Sequence, residues 1–176
     1  NGGSALVLNG QSSGDVDVAG VIGEVTSLTS LDVDGADVAI NDLGDGDTVG
    51  VTGATNVDGS TSITLDGTTY KTTGSQTYID DAGATPITLA GNGTMTFTSD
   101  GNTNDINFSE ALEGAGGDDA LVVDANGDAD VNFDSTVGAG AGKELASFDI
   151  DDANIVTFTN GGVETVDGGA ITIGNS

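Results

Sequence analysis

The chain contains no cysteine, histidine, arginine or tryptophan, a single proline, and only two lysines, Lys71 and Lys143. Without cysteine there is no disulfide framework and no thiol chemistry. Two cations against 29 aspartates and glutamates leave a formal net charge of -27. Neither the phosphates of a nucleic acid nor an anionic membrane surface can be neutralised by such a chain, and both are excluded as partners. No apolar run reaches the roughly 18 residues that a membrane-spanning helix needs, so membrane insertion is excluded too. With 4% aromatic residues, 36% hydrophobic residues and 30 glycines, any core must be thin. No signal peptide begins at Asn1-Gly2-Gly3, and a start without methionine in mid-pattern reads as a processed product or an excerpt.

What the chain has instead is aspartate. Its only glutamates are Glu24, Glu110, Glu113, Glu144 and Glu164. Aspartate suits turns, because its short carboxylate bonds the local backbone, so the charge is expected where the chain turns corners. Self-repulsion keeps such a chain soluble, and salt screens it over about 10 Å, which fits marine, brackish or divalent-rich surroundings.

Composition alone also fits a disordered acidic chain, but periodicity decides against it. Seven triplets with apolar outer members recur: Val16-Asp17-Val18, Val38-Ala39-Ile40, Ile63-Thr64-Leu65, Ile87-Thr88-Leu89, Ile106-Asn107-Phe108, Val131-Asn132-Phe133 and Val156-Thr157-Phe158. Their steps are 22, 25, 24, 19, 25 and 25 residues. Such a period accommodates about three short strands and their corners, one coil of a β-solenoid. The predicted fold is therefore all-β, a right-handed parallel β-helix of about 22 to 25 residues per coil and roughly seven coils. In successive coils equivalent residues stack about 4.8 Å apart, where like charges repel and amides or hydroxyls can form ladders; Asn107 above Asn132 is the expected rung.

A longer repeat overlays the first. Gly2-Gly3-Ser4-Ala5-Leu6-Val7-Leu8 returns at 116–123, and Leu28–Asp34 returns as Leu145–Asp151, displaced by 117 residues. Residues 1–176 thus read as a single solenoid segment with about one and a half copies of a super-repeat of about 115 residues, and no second domain. Neither end shows the polar cap that shields a terminal coil, so further copies or further coils are expected beyond both. In Phe148-Asp149-Ile150-Asp151 the apolar pair should face inward and the carboxylates outward. Thr94 to Phe108, with Met95-Thr96-Phe97 and Ile106-Asn107-Phe108 around Asp100-Gly101-Asn102, reads as a strand pair at a corner or a hairpin. Ser109–Leu112 reads as strand and corner rather than helix.

Segments such as Thr72-Thr73-Gly74-Ser75-Gln76-Thr77-Tyr78, Ile87-Thr88-Leu89 and Val131-Asn132-Phe133 with Thr136-Val137-Gly138 resemble the β-strand repeats of giant bacterial surface proteins of the filamentous-haemagglutinin and adhesin type, over essentially the whole chain. That resemblance implies a right-handed parallel β-helix, placement outside the cell or on its surface, and a role as stalk, adhesin or matrix fibre. The chain departs from that pattern in its acidity and in lacking the amino-terminal secretion domain.

Lyases built on β-helices need Arg or Lys as base, and glycosidase carboxylate pairs are available everywhere among the aspartates, so none stands out. No GxSxG, HExxH or GxxxxGK[ST] pattern occurs, and the expectation is a protein that is not an enzyme. Calcium is the cofactor to consider. Asp124-Ala125-Asn126-Gly127-Asp128-Ala129-Asp130 alternates oxygen ligands around a glycine, as a Ca²⁺ loop must, although Ser135 stands where an EF-hand has its bidentate glutamate. Asp151, following the corresponding strand one coil on, completes the candidate set of Asp124, Asn126, Asp128, Asp130 and Asp151. Asp42, Asp45 and Asp47 form a similar cluster. Against both stands the plainer reading of solvated acidic corners. Asn92-Gly93-Thr94 and Asn107-Phe108-Ser109 match the N-glycosylation sequon. Tyr70 and Tyr78 are too isolated for a sugar-stacking platform and read as corner or face packing. Taken together, the residues point to a filament, stalk or matrix fibre built by axial stacking, its partner being itself, as head-to-tail copies or continuation of the same chain. An adhesin presenting loops to surface glycans or to a protein is the alternative.

Overall fold

The computed structural model describes residues 3–80 and 85–174, leaving Asn1 and Gly2 of the start and of the longer repeat outside the described residues. Apart from one short 3-10 turn at Gln11–Ser13, its regular elements are fifteen strands, and every strand pairing is parallel. They wind a solenoid of about seven coils with three faces. The first face carries Ala5–Asn9, residues 30–34 and 55–59, Gln76–Asp80, Ile106–Phe108, Val131–Phe133 and Val156–Phe158. The second carries Val16–Val18, residues 38–40 and 63–65, Ile87–Leu89 and Leu112–Gly114, then single bridges at Val137 and Val163. The third starts as bridges at Ile22 and Leu43 and continues through Thr69–Thr72, Thr94–Ser99, Ala120–Asp124, Ser147–Asp152 and Ile171–Ile173.

The seven triplets are real strands, but they are not one column. The first four lie on the second face and the last three on the first face. The step of 19 residues between Ile87 and Ile106 is therefore a passage around the coil and not a coil repeat. The physical reason is that each face imposes the same inward-outward-inward alternation, so a triplet carries no mark of its face. Along the first face the true steps, from Leu6 through Leu31, Thr55, Gln76, Ile106 and Val131 to Val156, are 25, 24, 21, 30, 25 and 25 residues. Corners absorb the difference, since only strands must stay in register. The segments compared across 117 residues also sit on different faces, residues 30–34 on the first and 147–151 on the third.

Thr94–Ser99 and Ile106–Phe108 are not a hairpin: they belong to the third and first faces, each paired in parallel with neighbouring coils. Ser109–Leu112 is corner and strand start, as the sequence suggested. Nor is aspartate confined to corners. Asp32, Asp34 and Asp37 all lie within the strand Ser30–Ile40. That strand and Thr55–Leu65 run from the first face onto the second, bending at Gly35 and Gly59. At Gly59 a Cβ would strike the Ser62 carbonyl and the Ile63 side chain, so the bend requires glycine there.

Inward residues of the three faces meet on the axis. In the fifth coil Ile106, Phe108, Leu112, Leu121 and Val123 are all buried. Phe148 and Ile150 are buried with Asp149 and Asp151 directed away from the core, as expected. At about 1.5 to 3 kcal/mol per buried side chain, each coil contributes little alone, and stability accumulates along the stack. Tyr70 and Tyr78 are not corner residues; both are fully buried inside the solenoid.

Candidate cation corner and outer faces

Strand Ala120–Asp124 ends at a corner on the third face, and its last residue sits in an outward row of Lys71, Thr98, Asp124 and Asp152. The register slips by one residue after Val123, so Asp152 and not Asp151 pairs with Asp124. A β-bulge of this kind cannot be counted from spacing. Asp124 is half-buried and its Oδ1 accepts no hydrogen bond. Burial first, then the negative charges of Asp151, Asp152 and Asp100, hold its carboxyl above the usual carboxylate range, and Lys71 partly offsets them. Lys71 Nζ reaches Asp100 Oδ2 at 3.6 Å and donates to the Gly46 carbonyl at 3.1 Å.

The other candidates disperse. Asn126 Nδ2 lies 3.5 Å from Asp100 Oδ1. Asp128 is exposed, its backbone N–H donating to the Asn102 carbonyl. Asp130 Oδ1 accepts from Asn154 Nδ2 at 3.0 Å, and its own N–H donates to Asp105 Oδ1 at 2.9 Å. Asp151 is exposed beside Asp124. The structure thus brings Asp124 and Asp151 together and sends Asn126, Asp128 and Asp130 to separate partners along the axis. Among the described residues no three acidic side chains converge as metal ligands. In the second cluster Asp42 and Asp45 likewise take separate partners. Asp42 Oδ1 accepts the backbone N–H groups of Thr68 and Thr69 at 2.7 and 2.8 Å, pinning the next coil's corner. Asp45 accepts from the Thr48 N–H at 2.7 Å, and that bond holds its pKa below the usual value.

Sequence reasoning passed over Asp100, Asp152 and Lys71. A signal was present: Asp100, Asn126 and Asp152 recur every 26 residues, close to the third face's own period. A second acidic column runs past Glu110, whose pKa is raised by burial and then by Asp80 and Asp134.

On the first face the expected amide rung is present, Asn132 Nδ2 donating to Asn107 Oδ1 at 2.9 Å. The sequon at Asn107 is thereby tied into a strand, whereas Asn92 stands exposed at a corner with φ of 49°. Farther along that face, Asn9, Asp32, Asp34, Asn56, Asp58 and Thr77 line a groove of about 420 Å³, with Val7 and Ile79 at its margins. It offers carboxylate and amide oxygens to hydroxyl groups without an aromatic platform. No family model matches the chain, and neither the curated proteins nor the solved structures include a match to it.

Proposed function

We propose that the chain is a non-enzymatic structural rod, a segment of an extracellular or cell-surface filament, stalk or matrix fibre of the filamentous-haemagglutinin type, which lengthens by axial stacking of coils. The observation that carries this reading is the core. It runs unbroken from coil to coil and stays apolar into both terminal coils, where Leu6, Leu8, Val16, Val18, Val156, Phe158 and Val163 pack against it while only partly buried. A parallel ladder of this kind lengthens by further coils, from a second copy or from the same polypeptide, without any change in its pairing. Electron microscopy of the purified chain at high salt tests it. Thin filaments with an axial rise near 4.8 Å per coil are expected, and single compact particles at every salt and concentration would count against the rod.

The groove along Asp32, Asp34 and Asp58 favours a second reading, an adhesin whose solenoid presents a glycan-binding face. A glycan array is the discriminating measurement: a saturable signal from monomeric protein, lost in Asp34→Ala, supports the adhesin.

A further inference from the structure

We propose that Asn92 is a self-modification site: the backbone nitrogen of Gly93 attacks its side-chain amide, and water opens the resulting ring to aspartate or isoaspartate without an enzyme. Four Asn-Gly pairs lie within the described residues, Asn9-Gly10, Asn92-Gly93, Asn126-Gly127 and Asn160-Gly161. Glycine leaves the following nitrogen unshielded by a side chain and the backbone free to rotate, so all four pairs share one intrinsic chemistry. The fold separates them.

At Asn9 both partners are tied to the next coil. The Gly10 N–H donates to the Asp34 carbonyl at 2.8 Å and Asn9 Nδ2 to Asp34 Oδ2 at 3.0 Å, while Asn9 Oδ1 accepts the Gln11 N–H at 2.8 Å. At Asn126 the two partners face carboxylates on either side: the Gly127 nitrogen lies 3.5 Å from Asp152 Oδ2, and Asn126 Nδ2 lies 3.5 Å from Asp100 Oδ1. A carboxylate beside the attacking nitrogen also opposes its loss of a proton. At Asn160 the Nδ2 donates to the Asp134 carbonyl of the preceding coil at 3.0 Å, and Gly161 packs so closely on that coil that a Cβ would come within 2.6 Å of Thr136 Cγ2. Asn92 differs on each count. It is exposed, it adopts the left-handed φ of 49°, and its Nδ2 donates within its own corner, to the Ala90 carbonyl at 3.1 Å. Among the described residues nothing accepts the Gly93 N–H, and a Cβ on Gly93 would meet no atom within 4 Å beyond its chain neighbours. The reacting amide and nitrogen are thus held by no neighbouring coil.

The reaction balances with water as its sole co-reactant. The Gly93 nitrogen gives its proton to a solvent base and bonds to Asn92 Cγ, while the Cγ–Nδ2 bond breaks and Nδ2 leaves as ammonia. Water then adds to one carbonyl of the five-membered ring and breaks that carbonyl's bond to nitrogen. Opening at Cγ restores the ordinary backbone with an aspartate, and opening at the Asn92 main-chain carbonyl routes the chain through the side chain as isoaspartate. The second product adds a backbone atom just before Gly93, whose carbonyl accepts the Ala120 N–H of the next coil at 2.8 Å. One more negative charge and a lengthened corner then bear on the third-face ladder. This holds for the folded chain whether or not it joins a filament.

Peptide mass spectrometry of the full chain aged at neutral and mildly alkaline pH tests the site, with an isoaspartyl methyltransferase marking isoaspartate. The same ageing in denaturant and the variant Asn92→Gly, which suits the positive φ, are the controls. In the folded chain Asn92 is expected to react first, on the order of tenfold faster than Asn9, whose hydrogen bonds must open beforehand. The rate should rise with pH, because the nitrogen must lose its proton. In denaturant the four asparagines should converge to similar rates. Amide exchange at Ala120 should quicken in the aged wild type and stay unchanged in aged Asn92→Gly. Asn9, Asn126 or Asn160 reacting as fast as Asn92 in the folded chain would overturn the proposal. So would an equal lead for Asn92 in denaturant, or an Asn92 that stays intact when folded while the denatured chain reacts.

Discussion

The first three coils and the last four fill the same backbone ladder in different ways. On the first face the early inward columns hold no rings: they are aliphatic apart from Thr55, with Leu6, Leu31 and Thr55 in one and Leu8, Val33 and Val57 in the other, and two strands of 11 residues run through the corner onto the second face. From the fourth coil onward the column of Leu8 becomes Tyr78, Phe108, Phe133 and Phe158, stacked with planes 8 to 10° apart and centroids 5.1 to 5.4 Å apart. Rings from the third face cross it edge-on, Tyr78 to Phe97 at 90° and Phe97 to Phe108 at 83°. All seven aromatic residues of the chain join this one cluster. The coil rise enforces a centroid spacing within the range of favourable aromatic pairs. On the first face one half is held by strand continuity, and from the fifth coil onward the other holds strands of only three residues through its rings.

Removing a ring from the middle of the stack is the most severe test of that difference. Phe133→Ala deletes contacts with Phe108, Phe148 and Phe158 and should cost about 3 to 5 kcal/mol, whereas Val33→Ala in the aliphatic half should cost markedly less. Denaturant unfolding followed by near-ultraviolet circular dichroism, which reads the rings, and by far-ultraviolet signal, which reads the strands, separates the halves. The two transitions should diverge in Phe133→Ala and remain coincident in Val33→Ala.

The seam between the halves is polar. Gln76 is fully buried where the first-face step shrinks to 21 residues and then grows to 30. Its Nε2 donates to the Tyr70 and Thr98 carbonyls at 3.1 and 2.8 Å and lies 3.1 Å from Thr72 Oγ1, while Tyr78 donates its hydroxyl to Gln76 Oε1 at 2.9 Å. Burial pushes both tyrosines well above their usual pKa, so each remains a donor. Gln76→Leu strands the Tyr78 hydroxyl and should cost about 1 to 3 kcal/mol. Hydrogen exchange should show the loss concentrated around coils 3 and 4, uncoupling the halves; a uniform loss along the rod would contradict a seam.

What the sequence made legible follows the same division. Asn107 and Asn132 stand on one face with an ordinary corner between them, so a spacing of 25 residues was also a coil, and their hydrogen bond could be foreseen. Ile87 and Ile106 stand on different faces, and the alternation that marks both as strand hides that fact. Gln76 and Tyr78 have the inward positions of a strand, but the long and short corners around them kept their column out of the count. At the candidate site, Asp130 is a corner aspartate as read, whereas Asp124 is the last paired residue of its strand. Their partners depend on a one-residue bulge after Val123, which shifts Asp152 into the place expected of Asp151. The outer amide rung provides a smaller test of the aromatic half. Asn132→Ala should cost about 1 kcal/mol or less, measured by the same denaturant transition, because the lost bond lies on a half-exposed face.

The smallest expected effect sets the halves against each other through pH. Asp45, at a corner of the early coils, has its pKa lowered by the Thr48 N–H. Its contribution is present above the unfolded carboxylate pKa of about 4 and is lost as pH falls through the lower, folded value. Asp124, in the later coils, has its pKa raised by burial and by Asp151, Asp152 and Asp100. The folded chain then binds the Asp124 proton more readily than the unfolded chain does, so stability at this site increases as pH falls through the folded pKa and is complete below about 4. Acid should therefore loosen the corner at Asp45 while tightening the column at Asp124. Amide exchange, corrected for its intrinsic pH dependence, should show Thr48 losing protection and Ala125, whose N–H donates to the Asp152 carbonyl at 2.8 Å, gaining it between pH 6 and the acid range. Asp124→Asn should abolish the gain at Ala125 and leave Thr48 unchanged, because the two corners lie on different coils. Equal responses at both amides would mean that net charge, and not these local environments, governs the acid behaviour of the rod.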